Sequence, residues 1–166
     1  MKIGSEVTLT DMDLRICRLV ADAREDCGDR AYGGTNTSRV VVRPGSNANH
    51  MEGFAGELAF CRLFNLCPDL EIRARSAKLG EDFGDCVLHD GRLVDVKTTM
   101  LPENKLILPH WTKPTVDLYA LMTGPLPTLT FRGFIAAGEL AHESRITDLG
   151  HGATFVAKQQ ELYEVC

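Results

Sequence analysis

The sequence predicts an α/β domain in which helices pack on a mixed β-sheet. Two segments with helical apolar spacing come first, and short apolar segments separated by Gly and Pro follow. This order in a chain of 166 residues suits one layered domain with a single core. We therefore expect one domain over 1–166, with an N-terminal helix and loop at 1–49, a core at about 50–135 and a C-terminal tail at 136–166.

Composition and charge narrow the class of protein. Hydrophobic residues make up 44% and charged residues 25% of the chain, which is ordinary for a globular protein. No apolar run approaches the roughly 20 residues that span a bilayer, and the N-terminus lacks the apolar segment of a signal peptide. We therefore expect a cytoplasmic protein with no membrane partner. The net charge of −5 argues against a nonspecific nucleic-acid coat but allows an enzyme that acts on nucleic acid.

Six cysteines are present, and no pair has the two-residue gap of a zinc or iron–sulfur motif. In a reducing compartment such cysteines are free thiols, some of them buried as small hydrophobic residues. The sequence therefore predicts neither a disulfide framework nor structural zinc.

The first helix is predicted over 8–26, with Thr10 as its N-cap. Residues 27–48 are rich in Gly, Asn, Ser and Arg, which predicts a long loop with at most one short strand. Loops of that length inside a compact domain are often functional.

The second helix is predicted over 50–66, with Asn49 as its cap and Glu52 completing a capping box. Pro68 marks its end. The remaining apolar segments predict strands near 71–75, 83–88, 92–99, 105–108, 116–122 and 131–136. A short helix is expected after Gly138, and the tail 153–165 predicts a strand followed by an irregular or helical end.

The segment 83–99 predicts a β-hairpin whose turn length decides which residues share a face. A two-residue loop, Asp90–Gly91, would place Asp85 on the face opposite Asp95. A three-residue loop, His89–Gly91, with Gly91 in the left-handed conformation places Asp85 across from Asp95. The second choice separates polar from apolar residues better, so we favour it. It puts Asp85, Val87, Leu93, Asp95, Lys97 and Thr99 on one face and Cys86, Leu88, Val94 and Val96 on the other.

This hairpin carries a candidate metal site. Asp95 and Lys97 are two residues apart on one strand, so their side chains point to the same face. Two carboxylates that face each other repel unless a cation lies between them, and oxygen ligands suit Mg²⁺ or Mn²⁺. The alternative is a solvated ladder of cross-strand charge pairs.

Glu57 is the third candidate acid. Phe54 and Cys61 lie three and four residues away, which places Glu57 on or beside the apolar stripe of the second helix, where an unpaired carboxylate is costly. Gly53 and Gly56 would let that helix approach the sheet closely. The alternative for Glu57 is a helix-surface residue paired with Arg62.

The order of these residues resembles the PD-(D/E)xK nuclease superfamily, in particular its small single-domain members from phages and mobile elements. Glu57 on a helix, Asp85 on a strand and Asp95-Val96-Lys97 on the next strand carry the likeness, although Gly84 replaces the leading Pro. The resemblance implies a restriction-endonuclease-like core and Mg²⁺-dependent cleavage of phosphodiester bonds. It also implies Asp85, Asp95 and the Val96 carbonyl as metal ligands, Lys97 as the catalytic lysine and Glu57 as an accessory acid that leans toward the metal.

We therefore expect a metal-dependent nuclease that acts on DNA in preference to RNA. The resemblance is compatible with a homodimer, because many nucleases on this scaffold use two active sites to cut both strands. Two rivals stay open. One is a catalytically inactive binding or interaction protein on the same fold, which the acidic net charge favours. The other is an RNA-cutting or repair enzyme that uses the same site.

Several basic and aromatic residues could contact nucleic acid. The candidate basic strips are Arg73, Arg75 and Lys78, and Arg30, Arg39 and Arg43. Trp111 and Lys113 lie in a Pro-rich connection, where Trp111 either stacks on a base or, as is commoner, anchors the loop. His50, His89 and His110 are assigned to turn or surface positions, and Thr99 to ordinary strand packing.

Overall fold

The structure, a computed structural model, describes residues 2–31, 46–72, 84–150 and 152–165. Its helices are α1 (Asp11–Ala31), α2 (Ser46–Phe64) and α3 (Ala137–Leu140). Its strands are β1 (Glu6–Thr8), β2 (Cys86–Val87), β3 (Leu93–Thr99), β4 (Leu106–Pro109), β5 (Leu118–Thr123), β6 (Thr128–Ala136), β7 (Ile146–Asp148) and β8 (Ala153–Ala157). None of the helices in these ranges is long and apolar enough to cross a membrane.

Five of the described strands form a mixed sheet in the order β1-β6-β5-β3-β2, in which only β3 and β5 are parallel. The other three form an antiparallel sheet in the order β4-β8-β7. The chain passes from β3 to β5 through β4, so this crossover between parallel strands uses a strand of the second sheet where a helix is usual. The expected α/β class, with helices on a mixed sheet, is confirmed.

Alternation along β3 and β5 separates two cores on the two faces of the mixed sheet. Val94 and Val96 pack with Ala120 on the face that α1 and α2 cover. Tyr119 and Leu121, from the opposite face of β5, pack against β4 and β8 of the second sheet. Side chains at odd-numbered positions of β3, including Asp95 and Lys97, therefore lie on the face away from α2.

Helix α1 begins where its capping residues predict, although its span differs from the expected 8–26. The Asp13 backbone N–H donates to Thr10 Oγ1 at 3.2 Å, and the Thr10 N–H donates to Asp13 Oδ2 at 2.8 Å. This reciprocal arrangement is a capping box with Asp in place of Glu. The helix continues to Ala31, so the start of the predicted loop 27–48 is helical instead.

Helix α2 begins at Ser46, so the predicted cap Asn49 lies inside it and the predicted start at 50 is wrong. Three residues of Ser46–Asn49 are of capping types, and local sequence does not select among them. The C-terminal end is near the prediction. Asn65 adopts a φ of +54°, and the Leu66 N–H donates to the Cys61 carbonyl at 2.7 Å, which forms a Schellman motif.

The close approach of α2 to the sheet depends on Gly56 alone. A Cβ placed on Gly56 would lie 1.8 Å from Thr98 Oγ1 on β3, whereas one on Gly53 would meet nothing within 4 Å. The expectation is thus confirmed for Gly56 and wrong for Gly53. Gly56 brings the helix that carries Glu57 against β3.

The other strand predictions agree within a few residues, with three exceptions. Residues 71 and 72 are not in a strand, and 73–75 lie outside the described residues. The short strands β1 and β7 were not predicted. Each has three residues, too few for an alternating pattern to stand out.

Candidate functional site

The β2–β3 hairpin has the predicted three-residue loop. Cys86 pairs with Val94 and Val87 with Leu93, so continuing the same register sets Asp85 against Asp95. Gly91 has a φ of +92°, and its N–H donates to the Leu88 carbonyl at 2.9 Å. The loop length and the register are therefore confirmed, and both follow from a left-handed glycine at the end of the turn.

Asp85 lies at the edge of the mixed sheet, just before the two-residue strand β2. Its backbone N–H donates to the Val94 carbonyl at 2.8 Å. Its carboxylate Oδ2 accepts a hydrogen bond from the Val96 N–H at 2.7 Å, and the residue is only 4% exposed. The pairing of β2 with β3 does not extend to Val96, so the Asp85 carboxylate accepts the hydrogen bond that a neighbouring strand would otherwise accept. This bond holds the carboxylate beside the Val96 backbone.

Asp95 and Lys97 form an ion pair on β3. Lys97 Nζ lies 2.6 Å from Asp95 Oδ1 and 2.8 Å from Oδ2. The Asp95 side chain is 9% exposed and that of Lys97 is 35% exposed. Lys97 Nζ also lies 5.7 Å from the centre of the Tyr119 ring, a favourable position for a cation. Because both Asp85 and Asp95 are buried, a solvated charge ladder does not describe them.

Glu57 is buried on α2, as its position on the apolar stripe predicts, but its partner differs from the predicted one. Glu57 Oε2 lies 3.3 Å from Arg24 Nη1 on α1, whereas Arg62 pairs with Asp13. The Arg24 Nη2 donates to the Asp69 carbonyl at 2.6 Å. Glu57 therefore belongs to the helix side of the sheet, where Arg24 connects it to the segment after α2.

Cys86 connects Glu57 with Asp85. Its side chain joins the core under the helices, next to Cys61. The hydrogen bond with Cys61, burial and the negative charges of Asp85 and Glu57 together raise the pKa of the Cys86 thiol far above its usual range. Both acids therefore lie close enough to Cys86 to influence its thiol.

An open cleft of about 320 Å³ lies beside this edge. It is lined by Cys67, Pro68, Asp69, Gly84, Asp85, Cys86 and Val87. Gly84, with a φ of +70°, is packed so tightly that a Cβ there would lie 2.9 Å from the Val94 carbonyl and 3.0 Å from Val116 Cγ1. The glycine thus lets the chain enter β2 with Asp85 at the rim of the cleft.

The donor set at this edge fits a hard divalent cation. The Asp85 and Asp95 carboxylates and the Val96 carbonyl are oxygen ligands of the kind that Mg²⁺ and Mn²⁺ prefer. Within the described ranges, no three His, Cys, Asp or Glu side chains form a group that could hold a metal ion. The structure thus unites Asp85 and Asp95 at one edge, while Glu57 turns to Arg24 and its role as an accessory acid stays a prediction.

The histidine and threonine of the hairpin have structural contacts. His89 Nε2 lies 3.2 Å from the Phe64 carbonyl, where it meets the last residue of α2. Thr99 Oγ1 accepts a hydrogen bond from Asn104 Nδ2 at 3.1 Å, which closes the turn after β3. These contacts match the turn and packing positions expected for both residues.

Of the aromatic and basic residues considered as nucleic-acid contacts, Trp111 is described by the structure and most of the basic residues are not. Trp111 is 70% exposed, so the expectation that it anchors its loop is wrong. The predicted basic strips lie outside the described residues at Arg39, Arg43, Arg73, Arg75 and Lys78, and the side chain of Arg30 is likewise outside them.

Arg24 and Tyr119 are two site residues that the sequence did not reveal. Arg24 follows Cys17 and Ala21 at helical spacing, so it continues a buried stripe with a charge, as Glu57 does. That pattern could have identified it. Tyr119 is placed beneath Lys97 only by the pairing of β3 with β5, a contact between distant parts of the sequence.

The described elements define an α/β protein with an acid–lysine cluster at the edge of a mixed sheet. The chain belongs to DUF5843, a family of unknown function, whose model matches residues 1–164. No curated protein matches the sequence.

Proposed function

We propose that this chain is a metal-dependent nuclease of the PD-(D/E)xK type that hydrolyses phosphodiester bonds in DNA. The observation that carries the proposal is the pairing of Asp95 with Lys97 on β3, next to buried Asp85 at the same sheet edge. The mixed sheet, with a Glu-bearing helix packed on it, is compatible with a restriction-endonuclease-like core.

Asp85, Asp95 and the Val96 carbonyl would hold the cation. When bound, Mg²⁺ or Mn²⁺ supplies Lewis acidity that polarises a phosphate oxygen and makes a coordinated water more acidic. The Val96 N–H and the Lys97 ammonium each hold one of the two carboxylates in place. The chain therefore orients both of its proposed carboxylate ligands through groups on β3.

Lys97 is the residue that we assign to the reacting phosphate. The Lys97 side chain is 35% exposed and its ammonium is held by Asp95, so the ammonium can contact a ligand at the surface while losing little rotamer freedom. A fixed positive charge stabilises the negative charge that develops on the phosphate during attack by water. Because Asp95 contacts both the lysine and the proposed cation position, its loss should affect both.

The test is cleavage of plasmid and oligonucleotide DNA in Mg²⁺ or Mn²⁺. Lys97→Ala should lower the rate by at least about 100-fold, and Asp95→Asn by a similar factor, because each removes charge from the reacting centre. Asp90→Asn, which changes an exposed acid in the same hairpin, is the matched control and should cut at the parental rate. Parental cleavage by Lys97→Ala would refute the assignment.

Metal binding gives an independent measure. Mn²⁺ at about 100 times its dissociation constant should stabilise the parent by about 2.7 kcal/mol and raise its Tm by about 5 °C or more. Asp85→Asn should abolish that rise. A chain that binds DNA without cleavage and without a metal response would instead be a nuclease-fold binding protein.

A further inference from the structure

The connection between β4 and β5 presents an exposed aromatic side chain, and this connection ends at a residue that packs beside Gly84. Trp111 is 70% exposed, and its flanking residues His110 and Lys113 are also exposed. The His110 ring meets Trp111 edge-on, with 5.7 Å between centroids and an interplanar angle of 83°. A large indole held in solvent gains nothing from core packing and is available to contact a ligand.

The backbone holds this connection in a defined place. The Thr112 N–H donates to the Pro109 carbonyl at 3.0 Å, and the His110 N–H donates to the Ala153 carbonyl at 3.3 Å. At its other end, Val116 Cγ1 would lie 3.0 Å from a Cβ on Gly84, the residue before Asp85. Five residues of chain span at most roughly 18 Å, so the Trp111 backbone lies within that distance of Val116, which is about the length of five stacked nucleotides.

The charge around Trp111 favours an anionic ligand. No acidic residue occurs between Glu103 and Asp117, and this stretch holds Lys105 and Lys113, in a chain whose net charge is −5. An exposed indole with a lysine two residues away matches the stacking surfaces of proteins that bind single-stranded nucleic acid. Lysine is depleted in protein–protein interfaces, whereas this stretch carries Lys105 and Lys113.

We propose that Trp111 stacks on an unpaired base of the DNA substrate while Lys113 contacts a neighbouring phosphate. The substrate class is then DNA with a single-stranded segment beside the scissile bond, and the inference rests on the nuclease function proposed above. Stacking tolerates any base, so this contact adds affinity without sequence preference.

Intrinsic fluorescence tests the proposal directly, because Trp111 is the only tryptophan in the chain. The full chain is titrated in EDTA, to prevent cleavage, with an oligothymidylate and with a blunt duplex. The single strand should quench the emission, and the duplex should quench it weakly or not at all. Equal quenching by both, or by neither, would overturn the proposal.

Variants separate this contact from folding and from catalysis. By anisotropy of a labelled single strand, Trp111→Ala should weaken binding about 10-fold, and Trp111→Phe should recover part of the loss. Leu19→Ala is the matched control, because Leu19 is 69% exposed on α1. Equal affinity of Trp111→Ala and the parent would refute stacking. Lys97→Ala should keep the quenching, so failure of catalysis and failure of this contact are distinguishable.

Discussion

At the scale of single residues, Asp13 shows how one carboxylate joins local and long-range structure. It accepts hydrogen bonds from the Thr10 backbone and hydroxyl at the start of α1, and it pairs with Arg62 on α2. Burial opposes its ionisation, but the bonds from Thr10 and the charge of Arg62 outweigh burial and hold the pKa of Asp13 below its usual value. The ionised form therefore stabilises the folded chain.

Asp13→Asn should lower the free energy of unfolding at pH 7 by about 2 kcal/mol, because charged hydrogen bonds to Arg62 and Thr10 are lost. In the parent this stabilisation is present above the unfolded pKa and disappears as pH falls through the lower folded pKa. The parent should thus lose more stability than the variant between pH 5 and pH 2. Urea unfolding across that range measures the difference.

Asp22→Asn is the control, since Asp22 is exposed on the same helix. Its stability should follow the parent at every pH. If the pH profiles of Asp13→Asn and the parent run parallel, the assignment of the ionised form to Asp13 is wrong.

At the scale of elements, the contact between α2 and β3 sets the layer in which the site forms. Gly56 allows the helix backbone to meet Thr98, and Thr98 Oγ1 is a buried oxygen without a hydrogen-bond partner among the described residues. Val94 and Val96 pack under this helix, while Asp95 and Lys97 point away from it. The helix thus packs on one face of the strand, while Asp95 and Lys97 lie on the other face.

Gly56→Ala should therefore destabilise the fold by about 1–3 kcal/mol, because the added methyl group overlaps Thr98. Gly53→Ala is a matched variant on the same helix with nothing within 4 Å of the new Cβ. It should raise stability by up to about 1 kcal/mol, since Ala is the better helix former. Chemical denaturation compares the two, and equal effects would contradict the close approach at Gly56.

At the scale of the whole molecule, one hydrophobic core lies on each face of the mixed sheet. Burial in a core determines which thiols are shielded from solvent. Cys17 on α1, Cys61 on α2 and Cys86 on β2 are buried in one core, whereas Cys67 is exposed at the cleft. Burial, with the charges of Asp13 and Glu57, raises the pKa of the Cys17 thiol to about 11. A raised pKa leaves little reactive thiolate at pH 8.

Alkylation of the native protein at pH 8 should therefore modify Cys67 fast and leave Cys17, Cys61 and Cys86 unmodified until the chain unfolds. Peptide mass spectrometry assigns each site, and alkylation in urea provides the control in which all thiols react. Native labelling of Cys86 at the rate of Cys67 would contradict the burial of β2 against the helices.

The local sequence was sufficient for the features that neighbouring residues control. Gly91 determined the turn of the hairpin, and strand alternation then placed Asp85 and Asp95 against each other. Thr10 marked the start of α1. These predictions succeeded because turns, caps and alternation depend on residues a few positions apart.

Only the tertiary structure decided which partner each charged side chain meets. Glu57 pairs with Arg24, 33 residues away, although Arg62 lies nearer in sequence. Trp111 is exposed in the connection that follows β4, and β4 belongs to a second sheet that the sequence did not separate from the first. Partners brought together by packing leave no periodic signal, since their distance along the chain is arbitrary.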